Sequence, residues 1–173
     1  GEALSLLDSI PDTSDTATLF EKANSHRLLG LANYQLNRKT EARTQFEQAI
    51  SELRALLASQ SKSPDARQWT KTLADTEQVL GDVLLDELNK PKEALAAYRT
   101  CYDLRRALIK SGYRGAEIDH DIVWAANKLG DVEGRIGDDD GALRWFQTAQ
   151  NGMTALGDNL VLWPYDLALI DNT

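Results

Sequence analysis

Apolar residues along this chain recur at steps of three and four, and strand-like alternation is absent. Ala94, Tyr98, Cys101, Leu104 and Leu108 share one face of a 3.6-residue period, as do Leu73, Leu80, Leu84 and Leu88 upstream. The pattern predicts helices throughout. "SPDARQ" (63–68) predicts a helix start, with Ser63 as N-cap and Pro64 in the first turn, where its missing N–H costs little. "KSGYRG" (110–115) predicts a stop.

The helical pattern repeats. "LNRKTEARTQF" (36–46), "LNKPKEALAAY" (88–98) and "IGDDDGALRWF" (136–146) each begin with an aliphatic residue and end with an aromatic one, with Ala42, Ala94 and Ala142 at the seventh place. A small residue follows three positions on, at Ala49, Cys101 and Ala149. Upstream of each block stands a glycine, Gly30, Gly81 or Gly130, so the period is about fifty residues. The middle copy carries one more residue between glycine and alanine than the others, around "DELNK". Each unit therefore reads as two antiparallel helices joined by a short turn. A glycine inside a helix costs about 1 kcal/mol relative to alanine. Its recurrence predicts a close approach of the two helices, small residue against small residue, with the aromatic alongside.

Leu29-Gly30, Ala42, Phe46 and Ala49 follow the spacing of the tetratricopeptide repeat, as do Leu129-Gly130, Ala142, Phe146 and Ala149. Leu80-Gly81, Ala94, Tyr98 and Cys101 follow it with the one-residue insertion. The chain resembles that family over most of its length, with longer units of the kind found in extended bacterial repeats, since the usual unit is about 34 residues. The resemblance implies an all-α fold in which helix-turn-helix units stack as a right-handed superhelical solenoid of about eight helices. "EALSLLDSI" (2–10) resembles residues 93–101, and "WPYDLALIDNT" (163–173) resembles residues 69–79. A single array over 1–173 is expected: 1–12 as the second helix of a preceding repeat, three repeats at 13–62, 63–113 and 114–158, and 159–173 opening a truncated fourth. Residues 160–170 are apolar where a terminal helix would be polar, so a piece of a longer regulatory or signalling protein is expected.

The chemistry available is limited. "GDDDG" (137–141) has the look of a calcium loop, but if Gly141 is its sixth position, the first is Ile136 and the twelfth Gln147, so both end ligands are missing. A corner explains it better: Gly137 ends one helix in a left-handed conformation, and Asp138, Asp139 and Asp140 place negative charge at the N-terminus of the next. His26 and His120 have no Cys or His at ligand spacing, and His120 reads as a surface residue. Cys101, the single cysteine, falls on the apolar face and reads as a small buried hydrophobe. No cofactor or metal is implied, and the expectation is a protein that is not an enzyme.

Charge narrows the partner. Lys+Arg 19 against Asp+Glu 27 gives a net charge of −8 without any basic run, which disfavours nucleic acid, and no apolar run approaches a membrane span. With one cysteine and no basic leader at the first residue, a cytoplasmic location is expected. In the tetratricopeptide family the first helices of successive repeats line a concave groove. Counted from the Leu-Gly pairs, that face would carry Asn24, Arg27, Leu31 and Gln35 in the first unit. The second would carry Asp75, Gln78, Asp82 and Asp86, and the third Trp124, Asn127, Asp131 and Arg135. The resemblance thus implies a scaffold that binds a peptide or partner-protein segment. Leu31, Val79 and Trp124 occupy places where the carboxylate clamp of chaperone-binding relatives needs lysine or asparagine, so an acidic C-terminal tail is disfavoured in this groove. Asp75, Asp82 and Asp131 favour a basic or amide-rich segment. Two other readings stay open: a sensor or self-association segment binding its own chain or a signal peptide, and an accessory domain of an enzyme.

Overall fold

The computed structural model of the chain describes residues 15–156, and all regular structure among them is helical. Six α-helices follow in order: α1 Thr16–Gln35, α2 Lys39–Ser59, α3 Ala66–Asp82, α4 Pro91–Lys110, α5 Ala116–Arg135 and α6 Asp139–Leu156. A π-helical turn, Val83–Glu87, closes α3. Helices pack in sequential pairs, α1 with α2, α3 with α4 and α5 with α6, and the pairs join where α2 meets α3 and α4 meets α5. The further helices expected at 1–12 and 159–173 lie outside the described residues.

The corners follow one chemistry. After α1, Arg38 N–H donates to the Asn33 carbonyl at 2.8 Å and Asn37 N–H to the Tyr34 carbonyl at 2.9 Å. After α5, Asp138 N–H donates to Glu133 at 2.9 Å and Gly137 N–H to Gly134 at 3.1 Å. Both are Schellman closures, which need a left-handed residue after the helix. Gly137 takes it at φ 87°, as expected, and Asn37 at φ 58°, since asparagine tolerates this region better than most L-residues. Asp138 then caps α6, its Oδ1 accepting from Gly141 N–H at 2.9 Å. The expected start of α3 is corrected by two residues. The helix begins at Ala66, while Ser63 Oγ accepts from Asp65 N–H at 3.2 Å and holds the turn that leads into it.

The extra residue of the middle unit is absorbed in the π-helical turn. Leu88 N–H reaches back five residues to the Val83 carbonyl at 3.0 Å, and Lys90 N–H reaches the Leu84 carbonyl at 2.7 Å. A π-turn is an α-helix with one residue inserted, so the corner at Asn89, again left-handed at φ 50°, keeps its form. Pro91 starts α4 at a position where no intrahelical N–H bond is lost.

The nearest neighbours of the recurring helical glycines are the aromatics of the second helix. A Cβ on Gly30 would lie 2.6 Å from Phe46 Cε1, one on Gly81 2.6 Å from Tyr98 Cε1, and one on Gly130 2.7 Å from Phe146 Cε1. Each glycine leaves room for the aromatic ring expected alongside it, and a small-on-small contact falls between Gly134 and Ala142. Phe46 and Tyr98 are fully buried, whereas Phe146 on the last described helix remains 44% exposed beside the exposed Leu143. Cys101 is buried, and burial pushes its thiol up to about 12, so it is held as the neutral thiol in the core.

Candidate partner-binding face

The predicted stripe lies on the first helices of the pairs, and the structure divides it in two. On α1, Arg27 Nε donates to Asn24 Oδ1 at 3.1 Å, Leu31 packs partly against the core and Gln35 is exposed. No hydrogen bond or ion pair among the described residues links this group to the others. The residues on α3, its π-turn and α5 form a connected surface. Asp86 pairs with Arg135 at 3.4 Å, and Arg135 also meets Asp131, four residues earlier, at 3.1 Å. Asp82 Oδ1 accepts from the Tyr98 hydroxyl at 2.7 Å and lies 3.5 Å from Lys128 Nζ. Lys128 in turn sits 5.2 Å over the ring of Trp124, which packs edge-on against Tyr98 at 5.9 Å. Asn127 is half-buried on α5.

Deeper in the same face lies a buried cation that the reading of the stripe did not include. Arg105, on α4 and 2% exposed, donates to Gln78 Oε1 at 2.5 Å, to Asp75 Oδ1 at 3.3 Å and to the Asp121 carbonyl at 3.0 Å. It joins α3, α4 and α5 through one side chain. The repeat pattern held its signal: Arg105 stands four residues after Cys101, where Leu53 stands four after Ala49, so it occupies a core position. Lys71 completes the network, 2.9 Å from Asp75 and 3.2 Å from Glu117. Lys71 and Lys128 were legible as i, i+4 neighbours of Asp75 and Trp124.

Electrostatics separate the stripe's carboxylates by depth. Burial raises the Asp82 carboxyl above its ordinary value, and the Tyr98 hydroxyl and Lys128 only partly oppose that shift. Tyr98 itself is held protonated by burial and by the facing Asp82, so its hydroxyl remains a donor. Burial works against the charge of Lys71, yet Asp75 and Glu117 together hold its pKa above the usual lysine value. Asp75 and Asp82 thus serve internal cations and donors. Asp86, Asp131 and Arg135 stay at the surface, where ion pairs are weak.

The histidines belong elsewhere. His26 is buried, its Nδ1 2.9 Å from Gln45 Oε1 and its Nε2 3.5 Å from Glu52, between α1 and α2. His120 is half-buried on α5, 3.9 Å from Asp121. Among the described residues no group of three or more His, Cys, Asp or Glu is placed to hold a metal ion.

Residues 23–52, which span the second half of α1 and most of α2, match the family model of the tetratricopeptide repeat. The family resemblance drawn from the Leu-Gly, alanine and aromatic spacing is borne out there. The fold is similar to the crystal structure of MamA, with a TM-score of 0.53 and 18% sequence identity over 88% of this chain and 85% of that one. A second crystal structure of MamA protein aligns over 82% of this chain and 98% of its own, at 14% identity and a TM-score of 0.22. No curated protein matches the sequence significantly.

Proposed function

We propose that this chain is a non-catalytic protein-interaction module whose first helices α1, α3 and α5 present a binding face for a basic or amide-rich segment of a partner protein. The observation that carries the reading is the exposed row Asp86, Arg135 and Asp131, which crosses from one pair to the next, with the half-exposed Trp124 two turns before Asp131 on the same helix. A lysine or asparagine side chain takes the place of Arg135 on either carboxylate at little cost, and Trp124 supplies an aromatic surface for an aliphatic stem. The α1 group, Asn24, Arg27, Leu31 and Gln35, extends the same face by one unit. Asp75, Gln78 and Asp82 shape it from behind, since their polar atoms are engaged by Arg105, Tyr98 and Lys128. The match to the tetratricopeptide repeat and the MamA-like fold support a scaffold role.

In this reading the repeats run 13–62, 63–113 and 114–158, stacked as a right-handed solenoid, and 159–173 opens the next. Among the described residues no helix is long and apolar enough to cross a membrane. We place the module in the cytoplasm, where a buried free thiol such as Cys101 is ordinary.

The test is fluorescence anisotropy with a labelled peptide alternating lysine and asparagine, titrated with wild type and with the double variant Asp86→Lys, Asp131→Lys. Both positions are surface ones, so the variant should fold. Affinity should fall at least tenfold in the double variant. Equal affinity for both proteins would remove the first-helix face as the site.

A further inference from the structure

The second helices carry a different surface. A trough of about 420 Å³ runs between α4 and α6, and it has the room of a small-ligand site while staying open along its length. Its apolar wall is an edge-on pair, Tyr102 of α4 and Trp145 of α6, with ring centroids 4.9 Å apart. Three arginines line it: Arg99, Arg106 and Arg144. Arg99 is already matched, donating at 2.8 Å to Glu133, a carboxylate buried at the trough's side. Arg106 lies over the Tyr102 ring at 5.7 Å, and neither Arg106 nor Arg144 makes an ion pair among the described residues.

The repeat explains why Arg106 is unmatched. Five residues after the small residue that follows each aromatic, the first unit has Arg54 and the second has Arg106. Arg54 is paired with Glu77, four residues before Gly81. The corresponding residue before Gly130 is Ala126, so the carboxylate that neutralises this arginine in one unit is missing from the next. The third unit also adds the cation and the ring opposite: Arg144 and Trp145 stand where the first unit has Thr44 and Gln45 and the second has Ala96 and Ala97. Loss of a carboxylate on one wall and gain of a guanidinium and an indole on the other make a local cationic, aromatic trough on a chain whose net charge is −8. One exposed carboxylate, Asp103, sits at its rim.

We propose that this trough is a second binding site, on the second-helix face, for an acidic peptide segment that places a carboxylate between Arg106 and Arg144 and an apolar side chain against Tyr102 and Trp145. Guanidinium groups bind carboxylates by paired N–H donors, and the Tyr102 ring limits the freedom of Arg106 before the ligand arrives. The site is independent of the basic-segment face on α3 and α5, and a partner strand of mixed charge could not use both with the same residues.

The probe is a fluorescein-labelled peptide alternating glutamate and leucine, followed by anisotropy at low salt. Wild type is expected to bind it, and Arg106→Ala with Arg144→Ala to weaken binding at least tenfold. Lys62→Ala, which removes an exposed positive charge from the turn before α3, should leave that affinity within about twofold. Both arginines are exposed, so circular dichroism melts of the double alanine variant should overlay those of wild type. No binding by wild type, or equal binding by the double alanine variant, would overturn the proposal. So would concentration-dependent sedimentation of wild type that the double variant abolishes without any peptide binding, because the trough would then be an interface between copies.

Discussion

A methyl group on Gly81 would sit 2.6 Å from Tyr98, and that ring has nowhere to go: it is fully buried, and its hydroxyl is tied to Asp82. The same methyl on Gly130 would meet Phe146 at 2.7 Å, but Phe146 is 44% exposed and free to swing outward. Overpacking a fixed site costs roughly 1–3 kcal/mol, while alanine in place of a helical glycine gains about 1 kcal/mol. Gly81→Ala should therefore lower the thermal midpoint by several degrees, and Gly130→Ala should leave it unchanged or raise it slightly. Thermal melts of the two variants decide this; equal losses would mean that the rings do not set the requirement. The glycines and the aromatic alongside each stood out in the sequence, but how firmly each ring is held did not, because burial depends on what packs over the ring from the next unit.

Among the described elements, the π-helical turn at Val83–Glu87 sets the middle copy apart from its neighbours. The sequence located it to within a few residues through the longer spacing from Gly81 to Ala94. Whether the additional residue would lengthen the corner or widen the helix was decided by the corner, because Leu88 and Asn89 keep the places that Leu36 and Asn37 hold in the first unit. Removing Asp86 should restore a plain α-helical end. It is exposed, and its ion pair with Arg135 is of the weak surface kind, so the deletion should change stability by no more than about 1 kcal/mol. Deleting Leu85, which is buried, should cost about 2 kcal/mol or more, because it takes a core side chain as well. Urea denaturation of both deletions tests this, and a large loss for the Asp86 deletion would assign the π-turn a structural role of its own.

At the scale of the whole molecule, the interior holds carboxylates that would be more easily accommodated neutral. Burial is the leading cause that raises Glu77, Asp82 and Asp121 above their ordinary values, against the pull of Arg54, of Tyr98 with Lys128, and of Arg105 respectively. In the folded state these groups bind protons more tightly than in the unfolded chain. Stability from them is therefore lowest above the raised values and increases as pH falls toward the ordinary carboxylate range near about 4. The paired, exposed Glu93 is shifted the other way, by Lys90 first and then by Arg43, and its contribution is lost only below that range. Asp82→Asn keeps an acceptor for Tyr98 and removes one titrating group. The gain on going from neutral pH to about pH 5 should be smaller in this variant than in wild type, as measured by urea midpoints. An identical pH profile for the two would show that Asp82 is not charged at a cost in the fold.

The sequence by itself determined the helices, the period of about fifty residues and the corners, because these rest on local periodicity, capping and left-handed positions that each segment carries within itself. It also determined that Gly137 and the three aspartates after it form a corner: the end ligands of a calcium loop are absent from the chain, and Asp138 caps α6. Which stripe residues stay exposed was decided only by the tertiary structure. Asp82 and Asp86 look alike in the sequence, yet the first faces Tyr98 and Lys128 from other helices and the second lies in the open beside Arg135. Arg54 and Arg106 likewise stand at equivalent places, and one is neutralised while the other is not, because the packing of one unit on the next sets Glu77 against the first and Ala126 in the corresponding place for the second. Charges are written along the chain one at a time, but an ion pair needs two of them brought together, and here the stacking of the helix pairs does that.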